Sequence, residues 1–438
     1  MTGSSTVKLV LRSLRHRNYR LFFGGQGISL IGTWMQQIAL GWLVYRLTDS
    51  AFLLGLVGFA EQIPTFFLAS LAGVLADRFN RHHIIILTQT LAMIEASILA
   101  VLTLTNTIQI WHILFLSVCI GIINAFDMPT RQSFVIDVVE DKTDLPNAIA
   151  LNSSMFNTAR LVGPTIAGIM ISLLGEGLCF LINAISYIAV ITALLKIHII
   201  PKTEIIKPEK VLKGLKDGIK YAYKLKPIRV LLIFLGLVSL TGGPYTVLMP
   251  VFAKDILKGN ANTLGLLFGA VGIGALTGAI YLASRKNVLG LGRWIAISAA
   301  IFAIGLMLFS FSQNLIFSLV LMSLTGFGMM VQMASTNTLL QTLVDDDKRG
   351  RVMSLYVMAF MGTAPIGSLV AGTLASTLGA PFTILSGGLI CLAGSIAFAI
   401  YLPSLRSHIR PHYIKLGILP EISKGLQSAT HLNMPPNK

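Results

Sequence analysis

The sequence predicts an all-α membrane protein with twelve transmembrane helices in two pseudo-symmetric halves of six. Three observations carry this expectation. Of the 438 residues, 54% are hydrophobic and only 12% are charged, against roughly 25% charged in soluble domains. Mean hydropathy is +0.76, so polar side chains cannot cover the surface and a lipid bilayer is the expected solvent. The apolar residues gather in runs of about 20, the length of helix that crosses a bilayer. The basic residues alternate from loop to loop in phase with those runs.

The runs fall at 21–45, 52–76, 84–104, 111–127, 147–171 and 178–196, then at 230–251, 263–283, 294–311, 315–338, 352–374 and 382–402. Hydrocarbon offers the backbone no hydrogen-bond partner, so each run must satisfy its own amides as a helix. The first run is too long for the apolar core of a signal peptide and lacks a small-residue cleavage site, so it is expected to serve as its own insertion signal. The N-terminal tail, the even-numbered loops and the C-terminal tail hold thirty of the 34 Lys and Arg residues. The odd-numbered loops hold Arg46, Lys254 and Lys258, and Arg160 lies inside the fifth run. The positive-inside rule then places both termini in the cytoplasm, with the chain in the inner (plasma) membrane. A missed or invented span would scramble the alternation, so the count of twelve rests on it too.

The expected organisation is a six-helix half at 1–196, a basic linker at 197–229, a second half at 230–404 and a cytoplasmic tail at 405–438. In the linker, Lys213, Lys216, Lys220 and Lys224 recur at helical spacing. Two readings stay open: a basic amphipathic helix on the inner leaflet, or a solvated tether. The net charge of +16 would point to nucleic acid in a soluble chain. Here the charges sit between apolar runs, so the membrane surface explains them and no nucleic-acid partner is expected. Cys119, Cys179 and Cys391 each lie in an apolar run without metal-ligand spacing, and read as small buried hydrophobes. No His/Asp metal cluster, nucleophile motif or Walker-type phosphate loop is present in a suitable context, which argues against an enzyme and against ATP as direct energy source.

Halves of equal span number should retain traces of duplication. A shift of 204 aligns Gly163-x-x-x-Ala167-Gly168 with Gly367-x-x-x-Ala371-Gly372. A shift of 206 aligns Glu140-Asp141-Lys142 with Asp346-Asp347-Lys348, and a shift of 210 aligns Leu54-Gly55-Leu56 with Leu264-Gly265-Leu266. Together they place span two on span eight and span five on span eleven, a parallel repeat.

Between spans two and three runs Gly73-Val-Leu-Ala-Asp77-Arg78-Phe-Asn-Arg81-His82. It resembles the G-x-x-x-D-R-x-G-R-R signature of the major facilitator superfamily, with Asn80 in place of the second glycine and His82 in place of the last basic residue. The resemblance implies a latch at the cytoplasmic face in which Gly73 allows close helix approach and Asp77 accepts from a helix end and from Arg78 or Arg131. Arg81 and Asp127, at the cytoplasmic end of span four, are assigned to the same latch. Ala159-Arg160-Leu-Val-Gly163-Pro164-x-x-Ala167-Gly168 resembles the glycine-proline motif of the superfamily's exporters, in which Gly163 and Gly168 permit close packing and Pro164 favours a kink.

Two further stretches are Gly32-Thr-Trp34-Met-Gln36-Gln37 in span one and Ala125-Phe-Asp127-Met-Pro129-Thr-Arg131 with Asp144-Leu-Pro146-Asn147. They resemble the branch that contains the enterobactin exporter and macrolide-efflux proteins. The resemblance implies a proton-driven exporter of a small amphipathic molecule, a siderophore-like metabolite or, alternatively, a drug or macrolide. The expected partners are that substrate and the bilayer, the chain acting as a monomer with no cofactor beyond a proton gradient.

An ionisable group in hydrocarbon costs about 2.5–3.5 kcal/mol on insertion scales, so it is expected to face an internal cavity and serve a purpose. Three lie deep: Glu61 in span two, Glu95 in span three and Arg160 in span five. Either Glu61 or Glu95 is a candidate carrier of the coupling proton, neutral in one state and ionised in another. Arg160 would meet an anionic substrate or the ionised carboxylate. A static Glu–Arg pair that merely orders the bundle is the competing reading. Gln26, Gln37, Asn124, Asn152, Asn157, Tyr245, Gln332 and Asn337 are candidate cavity-lining residues, each also explicable as a helix–helix hydrogen bond.

Overall fold

The computed structural model describes residues 11–198, 211–285, 288–345 and 348–415, with side chains except at 69–78, 211–216, 406, 408–413 and 415. The described residues are helical and contain no strand. The first half comprises α1 (Arg17–Thr48), α2 (Ala51–Arg78), α3 (Arg81–Leu104), α4 (Ile110–Val138), α5 (Leu145–Leu174) and α6 (Glu176–Leu195). A short helix, α7 (Val211–Lys224), precedes the second half: α8 (Lys226–Thr241), α9 (Tyr245–Val251), α10 (Ala261–Ala283), α11 (Leu291–Ser310), α12 (Leu315–Leu343), α13 (Arg349–Met361), α14 (Ala364–Leu378) and α15 (Ala380–Lys415).

Among the described residues, eleven helical segments are long and apolar enough to cross a membrane. The 32-residue α1 packs among them against α5 and α6 as the twelfth. Its glycines and glutamines dilute its apolar content, which is why hydropathy alone misses it. The seventh span is α8 and α9 in series, and the eleventh is α13 and α14. Both breaks have a backbone cause. Gly242, Gly243 and Pro244 interrupt the seventh span, and Pro365 opens α14 just after Gly362 and Thr363. Proline has no amide to donate and is tolerated in a helix's first turn.

The helix limits shift two expected boundaries. Pro227 starts α8 inside the expected linker, its fixed φ suiting a first turn. The last helix runs past Pro403 to Lys415, beyond the expected start of the tail.

The halves meet along two helix pairs, α5 with α10 and α2 with α14. Both contacts depend on glycines. A Cβ on Gly168 would lie 2.8 Å from the Cα of Gly265 and 2.9 Å from the carbonyl of Ala261. A Cβ on Gly372 would lie 2.7 Å from the Cα of Gly55 and 2.8 Å from the carbonyl of Ala51. These are the residues that the sequence repeat aligns, so the twofold relation between the halves is visible in their contact.

Both glycine contacts lie toward the end of the bundle remote from Leu11 and Lys415. Two polar contacts join the halves at that same end. The Tyr45 hydroxyl donates to Asp255, and Lys254 Nζ donates to Asp49 at 2.5 Å and lies over the Tyr45 ring. A bidentate pair from Arg46 to Glu176, at 2.7 and 3.2 Å, ties α1 to α6 beside them. Toward the other end the halves part. Leu161, Pro164, Thr165 and Gly168 of α5 are covered by α10, whereas Ser153, Ser154, Phe156 and Thr158, earlier on α5, are exposed.

Among the described residues outside the spans, each half holds one accessory segment. The turn Arg12–Arg15 is fastened to the start of α5. Asp144, 3% exposed, takes Arg12 at 3.2 Å, Arg15 at 2.9 Å and His16 at 3.0 Å. Ser13 adds bonds to the Asn147 side chain and the Asp144 carbonyl. The helix α7 docks on the second half: Asp217 meets Arg351 at 3.6 Å, the Tyr221 hydroxyl donates to Asp345 at 3.0 Å, and Gly218 lies against Arg351. Ile219 and Tyr223 stay exposed on it. The expected helical spacing is therefore realised. The side chains of Lys213 and Lys216 lie outside the described residues.

Candidate transport site

The polar groups of the first half converge on α1, α3 and α6. Glu95 on α3 is 4% exposed and its Oε2 accepts from Gln36 Nε2 on α1 at 2.9 Å. Gln36 Oε1 in turn accepts from Asn183 Nδ2 on α6 at 2.7 Å, and Asn183 is fully buried. Ser186 donates to the Asn183 side chain and carbonyl at 3.2 and 2.7 Å. The geometry requires Gly32, because a Cβ there would sit 2.7 Å from the Ser186 hydroxyl and would clash with the Asn183 amide oxygen. With Asn183 holding Gln36 Oε1, the amide is oriented so that its NH2 donates to the carboxylate. Such a chain of linked hydrogen bonds rigidifies a buried polar site.

Glu61 on α2 is half-buried and within electrostatic reach of Glu95. Gly121 on α4 lets this stretch of α2 pack tightly, since a Cβ there would stand 3.0 Å from Pro64 Cγ and collide with the Glu61 carbonyl. Pro64 cannot donate to the carbonyl one turn earlier. Thr65 instead bridges out to the Gly121 carbonyl at 3.1 Å. The two deep carboxylic acids thus face one region of the first half. The transmembrane spans of the second half contain no Asp or Glu.

Arg160 is not paired with either acid. Among the described residues its guanidinium has neither an ion pair nor a hydrogen bond; it lies 5.7 Å over the Trp34 ring. Trp34 packs edge-on against Phe156 at 5.7 Å. Gly163, one turn beyond Arg160, makes room for Trp34: a Cβ at 163 would lie 2.6 Å from the Trp34 Cβ and 3.0 Å from the Ile31 carbonyl. The two glycines of the exporter-like motif therefore do separate tasks. Gly163 seats α5 on α1 within the half, and Gly168 seats it on α10 across the halves. Pro164 lies inside α5 and its carbonyl abuts Gly265.

The other expected cavity residues divide. Gln37 is exposed and shares a face with Gly41 and Tyr45, which meet Pro250 and Asp255 of the opposite half. Tyr245, 2% exposed, follows the break in the seventh span; its hydroxyl has no partner among the described residues, and it is within electrostatic reach of Arg160. Gln26 and Gln332 are buried, each with an unpartnered amide oxygen. Asn124 and Asn152 are half-buried. Asn157 bonds the Ser153 carbonyl and Asn337 accepts from Gln341, both within their own helices.

At the end bearing the termini, Arg81 meets Asp137 at 3.2 Å. Asp127 is buried, 3.4 Å from Arg131, and accepts from Thr88 and Gln89 at 2.9 and 2.8 Å. It ties α4 to α3. The side chains of Gly73, Asp77 and Arg78 lie outside the described residues. Asn80, where the superfamily signature has glycine, caps α3 through its side chain, accepting from the His82 amide at 2.9 Å. His82 bonds the Leu194 carbonyl at 2.8 Å and stacks on Phe134. Cys119, Cys179 and Cys391 are free thiols, the latter two buried. No cluster of metal-ligating side chains occurs among the described residues.

Comparison with known proteins agrees with this architecture. The model of a family described as transmembrane secretion effector matches residues 10–413. The chain is 28% identical to a staphyloferrin A transporter of Staphylococcus aureus, over 85% of this chain and 94% of that one. It is 25% identical to the multidrug efflux pump Tap of Mycolicibacterium fortuitum, over 87% and 93%. Among solved structures, a POT family transporter in complex with 5-aminolevulinic acid superposes with a TM-score of 0.70 at 12% identity, covering 89% of this chain and 96% of that one.

Proposed function

The chain belongs to the transmembrane secretion effector family and is a membrane transporter of the major facilitator type, and on that premise we propose that it exports a small amphipathic molecule by alternating access in exchange for protons. The carrying observation is the pair of deep acids in one half. Glu95 is buried and oriented by Gln36 and Asn183, and Glu61 lies beside it with partial access. A carboxyl held in such a site can keep a proton in one state and release it in another. The acid-free spans of the second half supply a neutral wall against which the first half moves.

The alternation of basic residues supports an orientation with both termini in the cytoplasm of the inner membrane. In that orientation the arrangement described is inward-facing: closed outside by Tyr45–Asp255 and Asp49–Lys254, open to the cytoplasm along α5. Asp127–Arg131 and Arg81–Asp137, with Gly73, Asp77 and Arg78, would form the latch that closes the cytoplasmic side in the opposite state. The chain works as a monomer, each half rocking on the glycine contacts.

A siderophore-like metabolite is the favoured substrate, supported by the likeness to the staphyloferrin A transporter. Drug efflux is the second reading, supported by the likeness to the multidrug efflux pump. Efflux driven by an imposed pH gradient in vesicles tests the coupling. Glu61→Gln and Glu95→Gln should each uncouple it, and unchanged coupling in both variants would eliminate the proposal.

A further inference from the structure

An arginine in the middle of a span carries a full charge at every physiological pH and is stable there only with a partner. Arg160 has no anionic partner among the described residues. Its position on α5 is where the helix emerges from under α10, between covered Leu161 and exposed Thr158. Trp34 and Phe156 form an apolar, edge-to-face platform beneath it. From the opposite half the buried, unpartnered Tyr245 hydroxyl is within electrostatic reach. A charged donor on an aromatic floor thus stands where the halves part, a buried neutral donor of the second half lies within its electrostatic reach, and the acids lie elsewhere, on α2 and α3.

We propose that Arg160, Tyr245, Trp34 and Phe156 form the substrate site, and that it selects small molecules carrying a carboxylate on a flat or apolar body. The guanidinium presents paired N–H donors that match a carboxylate's two oxygens. Stacking on Trp34 holds its plane. Tyr245 donates a further bond and joins the second half to the ligand, so the ligand touches both moving parts. Gly163 is a positioning residue, since it admits Trp34 to the place where Arg160 can lie over it. This deepens the transport reading by naming a substrate class, and it rests on no assumption about direction or proton coupling.

The test is equilibrium binding to the full-length chain in nanodiscs of neutral lipid with no gradient, so a failure of proton coupling cannot be mistaken for a failure of the site. The probe is radiolabelled salicylate, one carboxylate on a planar ring, with salicylamide as its uncharged counterpart. Salicylate should bind saturably and salicylamide should compete about tenfold less well, the difference expected of a bond to a charged group. Arg160→Gln should weaken salicylate about tenfold or more, Arg160→Lys should restore part of that loss, and Tyr245→Phe should weaken it about threefold. If the Arg160 variants do not fold, Tyr245→Phe and the salicylamide comparison decide alone. Equal competition by salicylamide, wild-type affinity in Arg160→Gln, or no saturable salicylate binding would each overturn the assignment.

Discussion

Gly168 and Gly265 face each other across the two halves with no room for a side chain between them, and Gly372 and Gly55 repeat that contact on the other side of the molecule. The halves thus meet through a matched set of backbone contacts at the far end of the bundle, which in the proposed mechanism would serve as the fulcrum. Backbone cannot swing aside as a flexible side chain can, so the cost of filling either contact falls on the closed state itself.

Gly168→Val should destabilise the closed arrangement by about 1–3 kcal/mol through overpacking. The expected result is lower thermal stability and reduced transport. Gly24→Ala, where nothing lies within 4 Å, is the control and should leave both unchanged.

Gln36→Ala removes the group between Glu95 and Asn183. Leaving buried partners unsatisfied costs about 1–3 kcal/mol. A thermal melt of the purified protein should show the loss. Pairing Gln36→Ala with Glu95→Gln in a double-mutant cycle should give a clearly non-additive result, whereas additivity would mean that the two do not act together.

Breaking the two bonds between the halves, with Asp255→Ala and Lys254→Ala together, should favour the state open at that end. A cysteine at Gly41, whose face lies 3.7 Å from Pro250, reports it. Labelling by a membrane-impermeant maleimide from outside should rise several-fold over the same cysteine in the parent chain. A rise from the cytoplasmic side instead would reverse the proposed orientation.

Asp141 lies outside the spans, and its carboxyl is held below the ordinary range, first by the Thr143 amide and hydroxyl and then by Arg15 and His16. A depressed folded value adds stability that is present above the unfolded value and lost as pH falls through the folded one. Hydrogen-exchange protection of the segment around Arg12–Arg15 should therefore hold from neutral pH to about 5 and fall below about 4. Protection already lost at pH 6 would mean that Asp141 does not govern the clasp.

Sequence reasoning reached the span number, the repeat and the deep charges because each leaves a one-dimensional mark: run length, alternation, offset or a lone ionisable residue in an apolar run. It could name Gly168 and Gly372 as equivalent, but not that each meets the other equivalent pair crosswise. Pairing Glu95 with Gln36 and Asn183 depends on which helix faces which, and an amide among apolar residues gives no such direction. Tyr45–Asp255 was invisible for the same reason. Asn80 is legible, because an asparagine just before a long apolar run is a cap signature. The place of Asp127 near a span's end suggests a latch acid; its bonds to Thr88 and Gln89 also tie neighbouring helices within one half, which no one-dimensional signal reports.

The two accessory segments are bolted to different halves, the N-terminal turn to the first through Asp144 and α7 to the second through Arg351 and Asp345. In the proposed rocking motion each would then travel as a rigid passenger of its own half. Dyes placed on Arg17 and Tyr223 would then act as a molecular caliper, converting an angular change deep in the bilayer into a separation legible from the aqueous side.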